Sequence, residues 1–67
     1  MNLEFKIFDY VYITFEEKRY IGQIRKIELT ESNIEYFVSF SPNESWQKYT
    51  SKDLSNVDII YNPARQA

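Results

Sequence analysis

The most constraining feature of this sequence is the alternation within residues 34–40, IEYFVSF. Every second residue from Ile34 to Phe40 is large and apolar, and successive side chains of a β-strand point to opposite faces. β-branched and aromatic residues also suit a pleated, half-buried surface. The segment therefore predicts a strand with one face against a core.

Four further segments, each bounded by charged or turn-forming residues, carry a similar signal and are predicted strands: residues 5–15, 20–29, 46–50 and 56–61. In the first, Asp9 alone breaks the apolar alternation. In the second, Gly22 marks either a bulge or a close approach of another backbone. The spacing of Ile24 and Ile27 also fits one helical turn, but the β-branched residues around them favour a strand.

The end of the chain adds two smaller elements. Residues 51–54, SKDL, fit a single tight helical turn before the last strand. Pro63 lacks a backbone N–H, so residues 62–67 are predicted to be a loose tail. The predicted fold is all-β, with one domain over residues 1–61.

Size and composition limit how such a fold can be stabilised. A chain of 67 residues without Cys or His has neither a disulfide nor the usual zinc ligands, and we expect no metal and no cofactor. Aromatic residues make up 18% of the chain, and each buries a large apolar area. We therefore expect aromatic side chains in the core before any binding site.

Charge and motifs exclude several classes of function. The formal net charge of −2 argues against nucleic-acid binding by charge alone. No apolar run is long enough to span a membrane, and the first residues do not resemble a signal peptide, so we expect a cytoplasmic protein. A single glycine forms no phosphate-binding loop, and a chain without His or Cys has no usual catalytic triad. The chain is predicted not to be an enzyme.

The order of these elements resembles an SH3-like small barrel, and most closely the Tudor and chromo-barrel type. Residues 20–24, YIGQI, are similar to the second strand of that group, in which an aromatic residue precedes a small and then an aliphatic one. Residues 36–54, YFVSFSPNESWQKYTSKDL, resemble the chromo-barrel run of strand, loop, tryptophan, aromatic and leucine-bearing turn. The resemblance covers about residues 8–57 and implies a five-stranded, closed or nearly closed barrel.

In chromo-barrels an aromatic cage can hold methylated lysine, since ring faces attract a quaternary ammonium. Phe40, Trp46 and Tyr49 match three positions of that cage. A further family tryptophan falls near Pro42 or Asn43 and is absent, and the loop is one residue shorter. Methyl-lysine binding is therefore not predicted.

The resemblance places the first turn beside a ligand cleft, with Phe15 and Tyr20 flanking that turn. We predict that Trp46 and Tyr49 form the opposite wall, with residues 41–45 as a mobile lip. Two alternatives stay open. Phe15 and Tyr20 also fit a stabilising cross-strand pair, and Trp46 fits a core residue. Residues three apart on a straight strand face opposite sides, so Trp46 and Tyr49 share a wall only if the chain bends.

Three functions compete. The first is a non-catalytic module that binds a peptide or protein segment along the aromatic cleft. The second is a nucleic-acid-binding barrel, for which the available cations are Lys18, Arg19, Arg25, Lys26, Lys48 and Lys52. The third is an oligomer-forming or inhibitory protein of a bacterium or phage. The sequence leaves the oligomeric state open.

Overall fold

The computed structural model describes residues 5–54 and 57–63, which form one antiparallel sheet in the order β4-β3-β2-β1-β5. Its strands are β1 Tyr10–Phe15, β2 Lys18–Leu29, β3 Ile34–Ser39, β4 Gln47–Thr50 and β5 Ile59–Tyr61. The all-β class and the five predicted strands are thus confirmed. No α-helix occurs in the described residues.

The sheet is not closed into a barrel, because the edge strands β4 and β5 do not pair with each other in the described part of the chain. The long β2 joins its two halves. Residues 18–23 of β2 pair with β1, and residues 23–29 pair with β3. The register shifts between Ile24 and Lys26, which marks a bulge. A bulge bends its strand and increases the local twist.

Gly22 is not the site of this bulge; it allows a close packing contact instead. A Cβ atom at Gly22 would overlap Cγ1 of Val38 and would lie 2.9 Å from Cε1 of Phe40. Side chains, and not another backbone as predicted, therefore approach Gly22 closely, and the bulge of β2 lies between Ile24 and Lys26 instead of at Gly22.

The core lies on the inner face of the sheet. Its buried apolar members are Phe5, Val11, Ile13, Ile24, Tyr36, Val38 and Leu54. Phe5 contacts Tyr36 edge to face, with 5.5 Å between ring centroids. The composition predicts that the aromatic residues lie mainly in the core. Instead, several are exposed: Phe8, Phe15, Tyr20, Trp46 and Tyr61.

β1 begins at Tyr10, whereas a strand from residue 5 is predicted. Asp9 is fully buried, and its Oδ2 accepts a hydrogen bond of 2.8 Å from the backbone N–H of Lys6. The Asp9 N–H donates to the Lys6 carbonyl oxygen at 3.1 Å. An aspartate that bonds the nearby backbone in this way favours a turn over a strand.

The C-terminal elements also differ from prediction. Residues 51–54 form a hydrogen-bonded turn and not the predicted helical turn. In this turn the Leu54 N–H donates to the Thr50 carbonyl oxygen, with 3.2 Å between nitrogen and oxygen. The predicted start of the last strand, residue 56, and the end of the predicted tail, residues 64–67, lie outside the described residues. Asn62, assigned by sequence to the loose tail, is buried.

Candidate functional site

A surface pocket of about 330 Å³ opens at one end of the inner face of the sheet. We call it the Tyr20 pocket. Its lining residues are Ile13, Phe15, Tyr20, Phe40, Glu44, Gln47 and Tyr49. Four of these are aromatic: Phe15 from β1, Tyr20 from β2, Phe40 directly after β3, and Tyr49 from β4.

Strand pairing brings these residues together. Ile13 pairs with Tyr20 across the β1–β2 hairpin, so both side chains lie on the same face. Tyr36 pairs with Tyr49, which places Tyr49 beside a core residue. Three rings then form a continuous wall, because Phe40 lies edge to face with both Tyr20 and Tyr49, at centroid distances of 6.4 Å in each case.

The pocket is buried at its floor and exposed at its rim. Ile13 is 7% exposed and belongs to the core, and Phe40 and Tyr49 are partly buried against that core. Tyr20 is 44% exposed and Phe15 is 64% exposed. The rim rings therefore present apolar surface that a ligand can cover with little rearrangement.

The β1–β2 turn fixes the rim. It contains only Glu16 and Glu17, both with positive φ, at 50° and 67°. Two central residues with positive φ match the twist of an antiparallel hairpin. This turn pairs Phe15 with Lys18 and so sets the register that carries Phe15 and Tyr20 to the pocket.

The structure brings together three of the four residues predicted for the cleft: Phe15, Tyr20 and Tyr49. Trp46 precedes β4, is 47% exposed and does not line the pocket. It is therefore not a core residue either. The three positions that match the chromo-barrel cage are likewise separated, since Phe40 and Tyr49 line the pocket and Trp46 does not.

The four residues predicted for the cleft walls do not include Ile13, Phe40 and Gln47, which also line the pocket, and Glu44 comes from the predicted lip. The alternation of β3 predicts Phe40 on the core-facing side, and the same alternation carries Phe40 to the pocket. Glu44 arrives through a compact loop, in which its N–H donates to the Ser41 carbonyl oxygen at 3.2 Å. The predicted lip thus contributes one carboxylate to the site.

The charge of the pocket is negative, since Glu44 is the charged residue among those lining it. Burial, with a smaller effect of the negative charge of Asp53, raises the pKa of Tyr49 above its usual value of 10.0. Hydrogen bonds from the Thr50 N–H, at 2.9 Å, and from its hydroxyl, at 3.0 Å, lower the pKa of Asp53. Tyr49 is therefore a neutral hydroxyl and Asp53 an anion at neutral pH.

Two of the six cations considered for nucleic-acid binding are paired with acidic residues. Lys26 forms an ion pair with Glu28 at 2.7 Å, and Lys48 with Glu35 at 3.6 Å. Arg19 stacks over the ring of Tyr12 at 3.9 Å. The remaining three, Lys18, Arg25 and Lys52, are exposed.

Comparison with known proteins gives no guide to the site: no family model, curated protein or solved structure matches the chain. The described residues contain no group of three or more His, Cys, Asp or Glu side chains that could hold a metal ion. None of their segments forms a helix long and apolar enough to cross a membrane.

Proposed function

We propose that this chain is a small non-catalytic binding module that takes an extended segment of a peptide or protein into the Tyr20 pocket. The observation that carries the proposal is the convergence of four aromatic rings, from four parts of the chain, on one open pocket. Aromatic-lined grooves suit extended and proline-rich peptides, whose backbone loses little entropy on binding. The exposed rings at the rim supply the surface that such a segment would cover.

The proposal includes a fold relationship: an open variant of the SH3-like barrel, of the Tudor type. The shared, bulged β2 supports it, because such a strand lets two antiparallel halves fold toward each other. The short edge strands β4 and β5, of four and three residues, also support it. A sheet with short edges leaves few backbone groups open to pairing with other chains.

Nucleic-acid binding has less support. Two of the six candidate cations are paired with acids on the same sheet, so the surface around them is close to neutral. The phosphate backbone is bound chiefly through clustered Lys and Arg. Nucleic-acid binding and the oligomer-forming or inhibitory role stay predictions from sequence.

The direct test is a selection of peptides from a random display library, followed by mapping of the selected peptide on the protein by NMR. We expect the largest amide shifts at Phe15, Tyr20, Glu44 and Gln47. A blocked Gly-Ser peptide of the same length is the control and should cause no shifts. If no peptide is enriched, or if its shifts lie away from the Tyr20 pocket, the proposed function is wrong.

A further inference from the structure

A second pocket, of about 230 Å³, lies on the outer face of the sheet. A row of directly paired residues crosses four strands there: Tyr61 with Tyr10, Tyr10 with Gln23, and Gln23 with Ser39. Arg25 lines the pocket beside this row. We call it the Arg25 pocket. It shares only Phe40 with the Tyr20 pocket among their lining residues.

The guanidinium of Arg25 is positioned by a short hydrogen-bonded chain. Its Nη1 donates to Gln23 Oε1 at 3.1 Å, and Gln23 Nε2 donates to the Phe8 carbonyl oxygen at 3.3 Å. The centre of the guanidinium lies 5.6 Å from the Phe8 ring centroid. Gln23 thus holds Arg25 against Phe8 by accepting a hydrogen bond from one guanidinium nitrogen, Nη1.

Arg25 differs from Lys26 and Lys48 in having no carboxylate within ion-pair distance among the described residues. No acidic residue lines its pocket. A guanidinium presents a planar fork of N–H donors that matches a carboxylate. The local charge is therefore complementary to an anion, although the chain as a whole carries a formal net charge of −2.

Phe8 contributes an aromatic surface in a strained conformation. Its φ is 74°, a region that bulky residues avoid, and the residue is 42% exposed. The Phe8 N–H donates to the Ile24 carbonyl oxygen at 2.7 Å, which holds the backbone in place. Strain of this kind persists where the surrounding structure enforces it, often at binding sites. Exposed Ile21 and Tyr61 add apolar surface to the same region.

We propose that the Arg25 pocket binds an acidic segment of a partner protein. A carboxylate of that segment pairs with the Arg25 guanidinium, and neighbouring apolar side chains cover Phe8 and Ile21. The inference goes beyond the proposed function, because it concerns the opposite face of the sheet and a ligand of a particular charge. The Tyr20 pocket, whose charged lining residue is Glu44, disfavours the same ligand.

The test is an NMR titration of the full chain with a blocked peptide that alternates Glu with Leu, and with the matched peptide that alternates Gln with Leu. We expect the acidic peptide to shift the Arg25 Nε–Hε resonance and the Ser39 and Ser41 amides. A charge-assisted hydrogen bond is worth about tenfold or more in affinity, so the Gln peptide and Arg25→Gln should each weaken binding by that factor. Added salt should weaken binding further.

Arg19→Gln is the matched control, since Arg19 lies over Tyr12 and does not line the pocket, and binding should be unchanged. Arg25→Lys keeps the charge but loses the fork, and should bind with intermediate affinity. Equal affinity for the two peptides, unchanged binding by Arg25→Gln, or shifts confined to the Tyr20 pocket would each overturn the proposal. So would sedimentation and NMR data that place a second copy of the chain on this face.

Discussion

The side chains of Asn62 and Asp9, 53 residues apart in sequence, are joined by a hydrogen bond of 2.6 Å from Asn62 Nδ2 to Asp9 Oδ1. Both residues are buried. Asn62 Nδ2 also donates to the Ile7 carbonyl oxygen at 3.0 Å. One amide group thus attaches the end of β5 to the loop that precedes β1, and holds the edge strand in place.

Asn62→Ala removes both bonds and leaves Asp9 with fewer partners for a buried carboxyl group. We expect the free energy of unfolding to fall by about 1–3 kcal/mol, because desolvation of polar groups is then less well compensated. Urea unfolding gives the value. Asn43→Ala, in the exposed segment 42–46, is the control and should change little. Equal effects of the two variants would contradict this role for Asn62.

Gly22→Ala tests the close packing between β2 and β3. The added Cβ overlaps Val38 and approaches the ring of Phe40, so we expect a loss of about 1–3 kcal/mol in the free energy of unfolding. Val38→Ala removes the overlapping methyl group. The double variant should therefore lose less stability than the sum of the losses in the two single variants. If the loss in the double variant equals that sum, the clash is relieved in another way than by removal of the Val38 methyl group.

Glu17→Gly should cost less stability than a glycine at an unstrained loop position. Glu17 has a φ of 67°, a conformation that costs an L-residue about 1 kcal/mol and costs glycine almost nothing. This relief offsets the roughly 0.4–1 kcal/mol by which glycine stabilises the unfolded chain through its entropy, so thermal and urea unfolding should change little or shift slightly upward. Glu31→Gly is the matched control in a loop without positive φ, and should lower stability by about 0.4–1 kcal/mol through that entropy alone. Equal destabilisation by the two variants would argue against the strained turn.

The strands themselves could be predicted because period-two alternation depends only on neighbouring residues. β3 was expected at residues 34–40 and lies at Ile34–Ser39. The predicted start of β1 was wrong. Residues 5–9 have strand-like composition, but the buried Asp9 gains partners at Lys6 and at the distant Asn62, which the local pattern does not contain.

The candidate site could be predicted in part for similar reasons. Phe15 and Tyr20 lie on the two sides of the first turn, within three residues of it, so a hairpin there brings both to one end of the sheet. Trp46 depends on where β4 begins, and that strand starts one residue later, at Gln47. Phe40 continues the β3 alternation, but whether it ends in the core or in a pocket depends on the contacts of Tyr20 and Tyr49.

The raised pKa of Tyr49 predicts a pH dependence. A group whose pKa is higher in the folded state stabilises the fold below its ordinary pKa, and this contribution is lost as pH rises through the raised pKa. The wild type should therefore lose stability as the pH rises above about 10, and Tyr49→Phe should lose less over the same range. Asp53→Asn should lower the pKa of Tyr49, measured by NMR titration of its Cζ. Burial is the larger cause of the raised pKa, so an unchanged Tyr49 titration in Asp53→Asn would contradict only the smaller contribution assigned to Asp53.

The central claim is that peptide binding takes place in the Tyr20 pocket. Phe15 and Trp46 provide a matched pair of exposed aromatic residues, and only Phe15 lines that pocket. Substitution of either should leave the fold intact, since neither ring belongs to the buried core. The exposed Phe15 ring is surface that a bound peptide would cover, and loss of an aromatic ring that an interface buries typically costs more than 1 kcal/mol of binding free energy.

The decisive measurement is the dissociation constant of a library-selected peptide for the wild type, Phe15→Ala and Trp46→Ala, by isothermal titration calorimetry. We predict that Phe15→Ala weakens binding by about tenfold or more and that Trp46→Ala leaves it unchanged. Unchanged binding by Phe15→Ala, with loss of binding in Trp46→Ala, would contradict the account and place the ligand outside the Tyr20 pocket.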